Sequence, residues 1–436
     1  MDENETYFDH ISDPQPSAEN AGEVKGSGKG LFLAGLIAGL AGALLIVAVC
    51  YLGVSIQNAV ESRDKKSDET VTFEEDSAID ASVLKKLQTL ESTIDKYYYL
   101  EEVGSEELQD GIYKGMLQAL GDPYSEYYSA EELNDMMEQT EGIYYGIGAY
   151  VSLDPTTSLT KISGTIAGSP AEAADLRAND LIYEVDGNLT YGLSLTETVS
   201  MIKGPEGTDV SLTVIREGEP DYLSFTITRR RVESPTVELT MLEDDMAYIQ
   251  ITEFDEVSID QFADALATAK GSGMKGMILD LRGNPGGSLN AVVEMARMIL
   301  PEGLIVYTED KEGKRTEYTC DGERKLDVPL VVLVDMNSAS AAEIMSGAIK
   351  DYGTGTLVGT TTFGKGIVQQ IMPFRDGSAV KLTISAYYTP NGNNIHGIGI
   401  EPDVVCEFDG EAYYGSEEHP DNQLEKAKEI LKQKMR

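Results

Sequence analysis

The chain has 436 residues, more than one ordinary core accommodates, so two or three folded units plus a tail are expected. Its 34 Lys and Arg against 75 Asp and Glu leave a net charge of −41, which argues against a phosphate-binding surface and so against nucleic acid as a partner. The three cysteines (Cys50, Cys320, Cys406) and three histidines (His10, His396, His419) are too scattered for a disulfide framework, a zinc site or a His-centred triad, and a lone Cys320–Cys406 bridge stays open.

Residues 1–30 are acidic, rich in Gly, Ser, Asn and Pro, and without periodicity, which reads as a disordered cytoplasmic tail. Residues 31–56, "LFLAGLIAGLAGALLIVAVCYLGVSI", run 26 residues without a charge, long enough to span a bilayer. A cleaved signal peptide has a shorter apolar core and a basic start, so a retained anchor is expected. Lys25 and Lys29 precede the span while Arg63, Lys65 and Lys66 follow it, so flanking charge alone does not orient it. Long domains translocate largely regardless of such charges, which permits an extracytoplasmic body.

A charged linker, 57–80, leads to a region (81–139) with helical spacing: Val83, Leu87, Leu90 and Ile94, then Ile112, Met116, Leu117 and Leu120. From 140 to 231 the pattern becomes short β-type runs punctuated by Gly, Pro and Asp, which predicts a compact, partly open β-barrel. From 232 to 408 strands alternate with helices, an α/β pattern. The continuously apolar "GMILDL" and "PLVVLVD" suit a sheet covered on both faces, and 409–436 reads as a tail or helix.

Three segments carry chemistry. "PLVVLVD" ends at Asp335, and residues 337–342 turn the chain into a helix beginning near Glu343. A serine hydroxyl at such a turn lies beside free N–H groups that favour developing negative charge. Ser340 and Glu343 equally fit a capping box that merely starts the helix, and Ser338 is a rival nucleophile. In "TTFGKGIV", Lys365 stands between Gly364 and Gly366 in an apolar, β-branched run. Burial there disfavours the ammonium, and a neutral lysine can take a serine proton; a surface lysine at a hairpin is the plain alternative. "LDLRGNPGGSL" is a strand followed by a glycine turn, from which Gly286 or Gly287 offers one oxyanion donor and Ala341 N–H the other.

Taken together and in this order, "GMILDLRGNPGG", "NSASAAEI", "TTFGKGIVQQ" and "AYYTPNGNNIHGIGIEPD" resemble the C-terminal processing, or tail-specific, serine peptidases. Upstream, "GMLQALGDPYSEYYSAEE" resembles the helical segment before that family's PDZ domain, and "YYGIGAYV" through "GSPAEAADLRANDLIYEVDG" resembles the PDZ domain itself. The resemblance covers about residues 85–408. It implies a crotonase-like α/β peptidase domain with an inserted β-rich PDZ domain, an N-terminal helical segment and, from the uncharged stretch, one transmembrane helix.

By position, the resemblance makes Ser340 the nucleophile, Lys365 the general base, and Gln369 the residue that orients the lysine. Gly286 and Ala341 match the oxyanion donors, and Asp351 occupies a position tied to activity in some members. Tyr145, Gly146, Ile147 and Gly148 match the loop that captures a peptide carboxylate, with the helix near Ser194 to Lys203 beside the side-chain pocket. Ala342 replaces a more usual serine and His396 a polar residue such as Gln.

The expectation is therefore a membrane-anchored serine endopeptidase acting on proteins with exposed C-terminal tails, without metal or cofactor, with a homodimer left open. A catalytically idle PDZ adaptor and an acyl-CoA enzyme of crotonase type are the rivals.

Overall fold

The computed structural model describes residues 77–100 and 102–436. The tail and the membrane anchor expected at 1–30 and 31–56, and Cys50, lie outside these residues. Among the described residues no helix is long and apolar enough to cross a membrane.

The chain divides into two units, up to Glu102 and from Val103 onward. In the first, Ala81–Tyr97 is a helix started by Asp80, whose carboxylate accepts the N–H groups of Ser82 and Val83 at 2.8 and 2.9 Å. None of its residues is buried.

The second unit begins with the helices Ser105–Gln118 and Ala130–Glu141. Between them lies a short strand, Glu126–Tyr128, in a region whose sequence predicts helix. This strand pairs antiparallel with Ala379–Tyr388, so the pre-PDZ segment is built into the peptidase sheet. The Ala130–Glu141 helix carries a reciprocal cap, Ser129 with Glu132, and ends at Gly142 with φ 70°, where the chain turns into the β-rich module.

That module has the expected β character. The strands Ala149–Leu153, Thr160–Thr165, Leu181–Val185, Asp209–Ile215 and Leu223–Thr228 follow one another in a single antiparallel sheet. Alternating residues, including Val210, Leu212 and Val214, turn inward with Ile162 and Ile182 to make its own core. The helix Leu195–Ile202 closes the open side.

The α/β body follows from residue 237. Met246–Ile251, Gly276–Asp280, Leu330–Val334 and Gly355–Gly359 form a parallel array flanked by antiparallel Val237–Met241 and parallel Val404–Val405. Every residue of Gly276–Asp280 and Leu330–Val334 is buried, as continuous apolar strands require when both faces are covered. The helices Glu256–Gly271, Leu289–Ala296 and Ala341–Tyr352 pack into the large core on one face.

The opposite face is covered by the C-terminal helix Asn422–Lys434 through Ala427 and Leu431, both fully buried. The segment read from sequence as a tail or helix is a helix and part of the core. Arg282 pins its start, with Nη2 2.6 Å from Asp280 and 2.8 Å from Asp421. A second sheet, containing Gly303–Asp310, Arg315–Cys320, Ile367–Pro373 and Ala379–Tyr388, carries the lysine segment. Cys320 and Cys406 are both free thiols, so the open disulfide is not formed.

Candidate active site

The strand Leu330–Val334 delivers the chain to residues 335–340, and the helix Ala341–Tyr352 departs from them. Ser340 takes φ 52° and ψ −111° at this corner, a conformation that costs a non-glycine residue about 1–3 kcal/mol and that neighbouring contacts must hold. Its hydroxyl makes no cap hydrogen bond. The opposite half of the box is formed, since Ser340 N–H donates to Glu343 Oε2 at 2.9 Å. Tyr387, almost wholly buried, donates its hydroxyl to Ser340 O at 3.1 Å, and burial holds that phenol protonated far above its ordinary range.

Ser338, the rival nucleophile, is fully buried. Its Oγ donates to Leu281 O at 2.7 Å and accepts the Asp335 N–H at 2.9 Å, which leaves it a structural part of the turn.

Glu343 does more than cap a helix. It is fully buried, and its Oε1 accepts the Thr362 hydroxyl at 2.6 Å and Gly364 N–H at 2.7 Å. Its Oε2 accepts Lys365 N–H at 2.8 Å beside that of Ser340. One carboxylate therefore fixes both the serine corner and the lysine loop. Gly364 has φ 86°, and a Cβ on it would lie 2.8 Å from Gly399 N, so only glycine admits this close approach.

The Lys365 side chain lines the same cavity of about 360 Å³ as Ser340, Ala341 and Gln369. Burial lowers its pKa below the ordinary lysine value and the Lys381 charge adds to this, while Asp122 and Glu126 oppose it. Its Nζ stands 4.4 Å from the centre of the Tyr124 ring, a cation–π contact. Gln369 donates Nε2 to Thr383 Oγ1 at 3.1 Å, and Thr383 N–H donates to Ser125 Oγ at 3.1 Å. The segment around Tyr124 and Ser125 thus holds the lysine directly and the glutamine through Thr383.

The glycine turn differs in one atom from its expected role. Gly286 N–H donates to Asn284 Oδ1 at 2.8 Å, and Gly286 O accepts Phe254 N–H at 2.8 Å. Its N–H is already used within the turn, which corrects its assignment as an oxyanion donor in this arrangement. Gly286 packs instead against the nucleophile corner, where a Cβ on it would lie 2.7 Å from Ser340 Cβ and 3.0 Å from Ala341 N. Among the described residues the N–H groups of Gly287 and Ala341 donate to no backbone or side-chain acceptor.

Asp351 lies ten residues along the helix from Ala341, about 15 Å away by helical rise. It accepts the Asn391 N–H at 2.8 Å and does not line the cleft. Its place is at the helix end and not beside the reacting atoms.

In the β-rich module, Tyr145 and Gly146 pair with Arg231 and Arg230 in a short ladder. Ile147 O and Gly148 O accept the N–H groups of Ala171 and Ile166 at 2.7 and 2.9 Å. Gly148 has φ 75°, and a Cβ there would come within 2.4 Å of Ser169 Cβ. These contacts shape a loop beside an apolar groove of about 350 Å³ lined by Ile147, Val151, Val199 and Ile202.

Residues 245–406 match Peptidase family S41, residues 161–216 a PDZ domain, and residues 43–132 the N-terminal domain of the activating protease CtpB. The "Carboxyl-terminal-processing protease" of Synechocystis is 38% identical over 297 residues, 67% of this chain and 69% of that protein. The chain belongs to peptidase family S41. Another member of the family, the "Carboxy-terminal processing protease CtpA" of Bacillus subtilis, is 38% identical over 311 residues, covering 71% of this chain and 66% of that one. The match thus spans about two thirds of these relatives' lengths. The solved photosystem II D1 C-terminal processing protease aligns over 73% of this chain and 86% of its own at 29% identity, with a TM-score of 0.44.

S41 peptidases are serine-type enzymes. Within this S41 chain, sequence motifs located Ser340, Lys365, Gln369 and Ala341, which the fold brings to one cleft. They did not reveal Glu343 as the link between the two loops, Tyr124 beneath the lysine, or Tyr387 behind the serine. Glu343 carried a visible signal only as a helix cap. Its partners at 362–365 are about twenty residues away, and local spacing does not connect them.

Proposed function

We propose that the protein is a membrane-anchored endopeptidase that engages exposed C-terminal tails through its PDZ module and cleaves peptide bonds with a Ser340/Lys365 dyad. The observation that carries this reading is the shared Glu343 oxygen, which ties the N–H of Ser340 to that of Lys365 at one cleft. A neutral Lys365 accepts the Ser340 Oγ proton as Oγ attacks the substrate carbonyl. The N–H groups of Gly287 and Ala341 receive the developing oxyanion. The lysine ammonium then protonates the departing amine, and water, deprotonated by the same lysine, hydrolyses the acyl-enzyme.

The PDZ loop at Ile147 and Gly148 supplies a carboxylate site, and the neighbouring groove takes an apolar terminal side chain. The uncharged stretch 31–56 supports an anchor, and the reading places the folded body outside the cytoplasm, an orientation that its length permits and the flanking charges leave open. The chemistry calls for no metal or cofactor.

The test is incubation of the purified protein with an unfolded substrate ending in an apolar residue, in free-carboxylate and amidated forms, beside a Ser340→Ala control. Faster cleavage of the carboxylate form, lost in the control, supports the reading. Equal rates for the two forms overturn tail selection, and undiminished cleavage by the control overturns the nucleophile.

A further inference from the structure

Phe254 links the strand Met246–Ile251 to the helix Glu256–Gly271 and is stitched to the glycine turn on both sides. Its N–H donates to Gly286 O at 2.8 Å, and its carbonyl accepts Ser288 N–H at 2.7 Å. Because Gly286 packs on Ser340 Cβ, this linker runs directly beside the proposed reacting centre. Phe254 itself is fully buried. Alternation along extended backbone gives its neighbours Glu253 and Asp255 a common side, and both line the cleft that holds Ser340.

Among the described residues neither carboxylate forms a salt bridge, although Lys365 and Lys381 line other parts of the same cleft, Lys381 paired with Glu126. Asp255 is only 3% exposed and starts the following helix without a side-chain cap hydrogen bond. The groups around it are the carboxylates of Glu253 and Glu256 and the Tyr144 hydroxyl. Glu256 is occupied by Ser288 Oγ and Asn290 Nδ2, at 2.7 and 2.8 Å. Lys203, 5.4 Å from the Tyr144 ring centre, has its ammonium 2.8 Å from Glu138. Burial and the two neighbouring carboxylates push Asp255 up to about 7. A buried acid left in this state gains from any cation that enters the cleft. Among the described residues no group of three or more ligands suits a metal ion.

We propose that Glu253 and Asp255 form a substrate subsite that receives a lysine or arginine side chain within a few residues of the scissile bond. Glu253, exposed at the rim, meets the cation first, and Asp255 forms the floor behind it. This subsite rests on the assignment of Ser340 as nucleophile, since that assignment makes the cavity the place of cleavage.

The experiment compares peptides that carry lysine or its uncharged near-isostere norleucine at each of the three positions on either side of the cleaved bond. The full-length protein, wild type and Glu253→Gln/Asp255→Asn, is assayed for kcat/KM at pH 6 and pH 8. At one position the wild-type lysine-to-norleucine ratio at pH 8 is expected to be roughly tenfold, the scale of one partly desolvated charge-assisted contact. It falls toward one in the double variant, and in the wild type it falls as pH drops through about 7, where Asp255 takes up a proton. The ratio cancels any pH effect on the catalytic groups, which both peptides share.

Glu253→Lys, a change at an exposed position, covers the case in which the double variant does not fold, and is expected to bring the lysine-to-norleucine ratio below one. Ratios that are the same in wild type and every folded variant at all six positions overturn the subsite. Absence of cleavage of all peptides by wild type, or cleavage that survives Ser340→Ala, counts against the peptidase reading instead.

Discussion

The backbone N–H groups of Ser340 and Lys365 donate to the same oxygen, Glu343 Oε2, at 2.9 and 2.8 Å. Their segments come from different sheets, and the strained Ser340 corner has to stay in register with a loop held open by glycines. A buried carboxylate accepting four hydrogen bonds supplies that register. Glu343→Gln puts an N–H₂ group where an acceptor stood, against Gly364 N–H and the Thr362 hydroxyl in one amide orientation or against both Ser340 N–H and Lys365 N–H in the other. It is expected to cost about 3 kcal/mol of stability, with a drop in peptidase activity larger than the fraction unfolded explains. Thermal melting beside kcat/KM checks this, and a variant equal to wild type in both contradicts it.

The two serines of the turn separate by their hydrogen bonds. Ser338→Ala removes the bonds to Leu281 O and from Asp335 N–H in a buried site, so about 1–3 kcal/mol of stability is lost while the remaining folded enzyme cleaves. Ser340→Ala leaves the melting temperature nearly unchanged and removes cleavage. Peptidase assays corrected for folded fraction read the difference, and an active Ser340→Ala refutes the assignment.

Much of this site is legible in the sequence, and what is not has a common cause. Ser340 and Lys365 sit in short motifs whose neighbours, an apolar strand and two glycines, reveal their local backbone. The Lys365 contact with Tyr124 joins segments more than two hundred residues apart, and no periodicity records it. The Gly286 N–H looks free in a glycine-rich turn until Asn284, two residues earlier, folds back to accept it. The last segment reads as a tail or helix with no place in a core because its apolar positions are few, yet Ala427 and Leu431 complete the core on the outer sheet face.

That helix is held at its start by Arg282. Burial raises the Asp421 pKa, but the hydrogen bonds from Arg282 and the helix N–H groups outweigh it and leave the carboxyl below its ordinary range. The stability this contributes is fully present above the ordinary carboxylate range and is lost as pH falls through the depressed value. Asp421→Ala leaves a largely buried guanidinium with one carboxylate fewer, an expected loss of about 2–3 kcal/mol near neutral pH that narrows in acid. Urea midpoints at pH 7 and pH 3 measure it, and a loss that grows in acid contradicts the account.

Tyr124 favours the charged form of Lys365. Tyr124→Leu is expected to move the rising limb of kcat/KM to lower pH by roughly half a unit, whereas Tyr124→Phe, which keeps the ring face, leaves the limb in place. An unmoved limb in both variants removes Tyr124 from the proton balance of the site.

The most direct test of the central claim is the pH profile of kcat/KM for wild type beside Lys365→Arg, after equal melting temperatures establish equal folding. Burial and the Lys381 charge lower the Lys365 pKa, so wild-type activity rises with pH through a value below that of an ordinary lysine as the neutral amine forms. The arginine variant keeps the positive charge but does not surrender its proton, and it is expected to be inactive at every pH assayed. A folded Lys365→Arg enzyme with wild-type rates would contradict the assignment of Lys365 as the base.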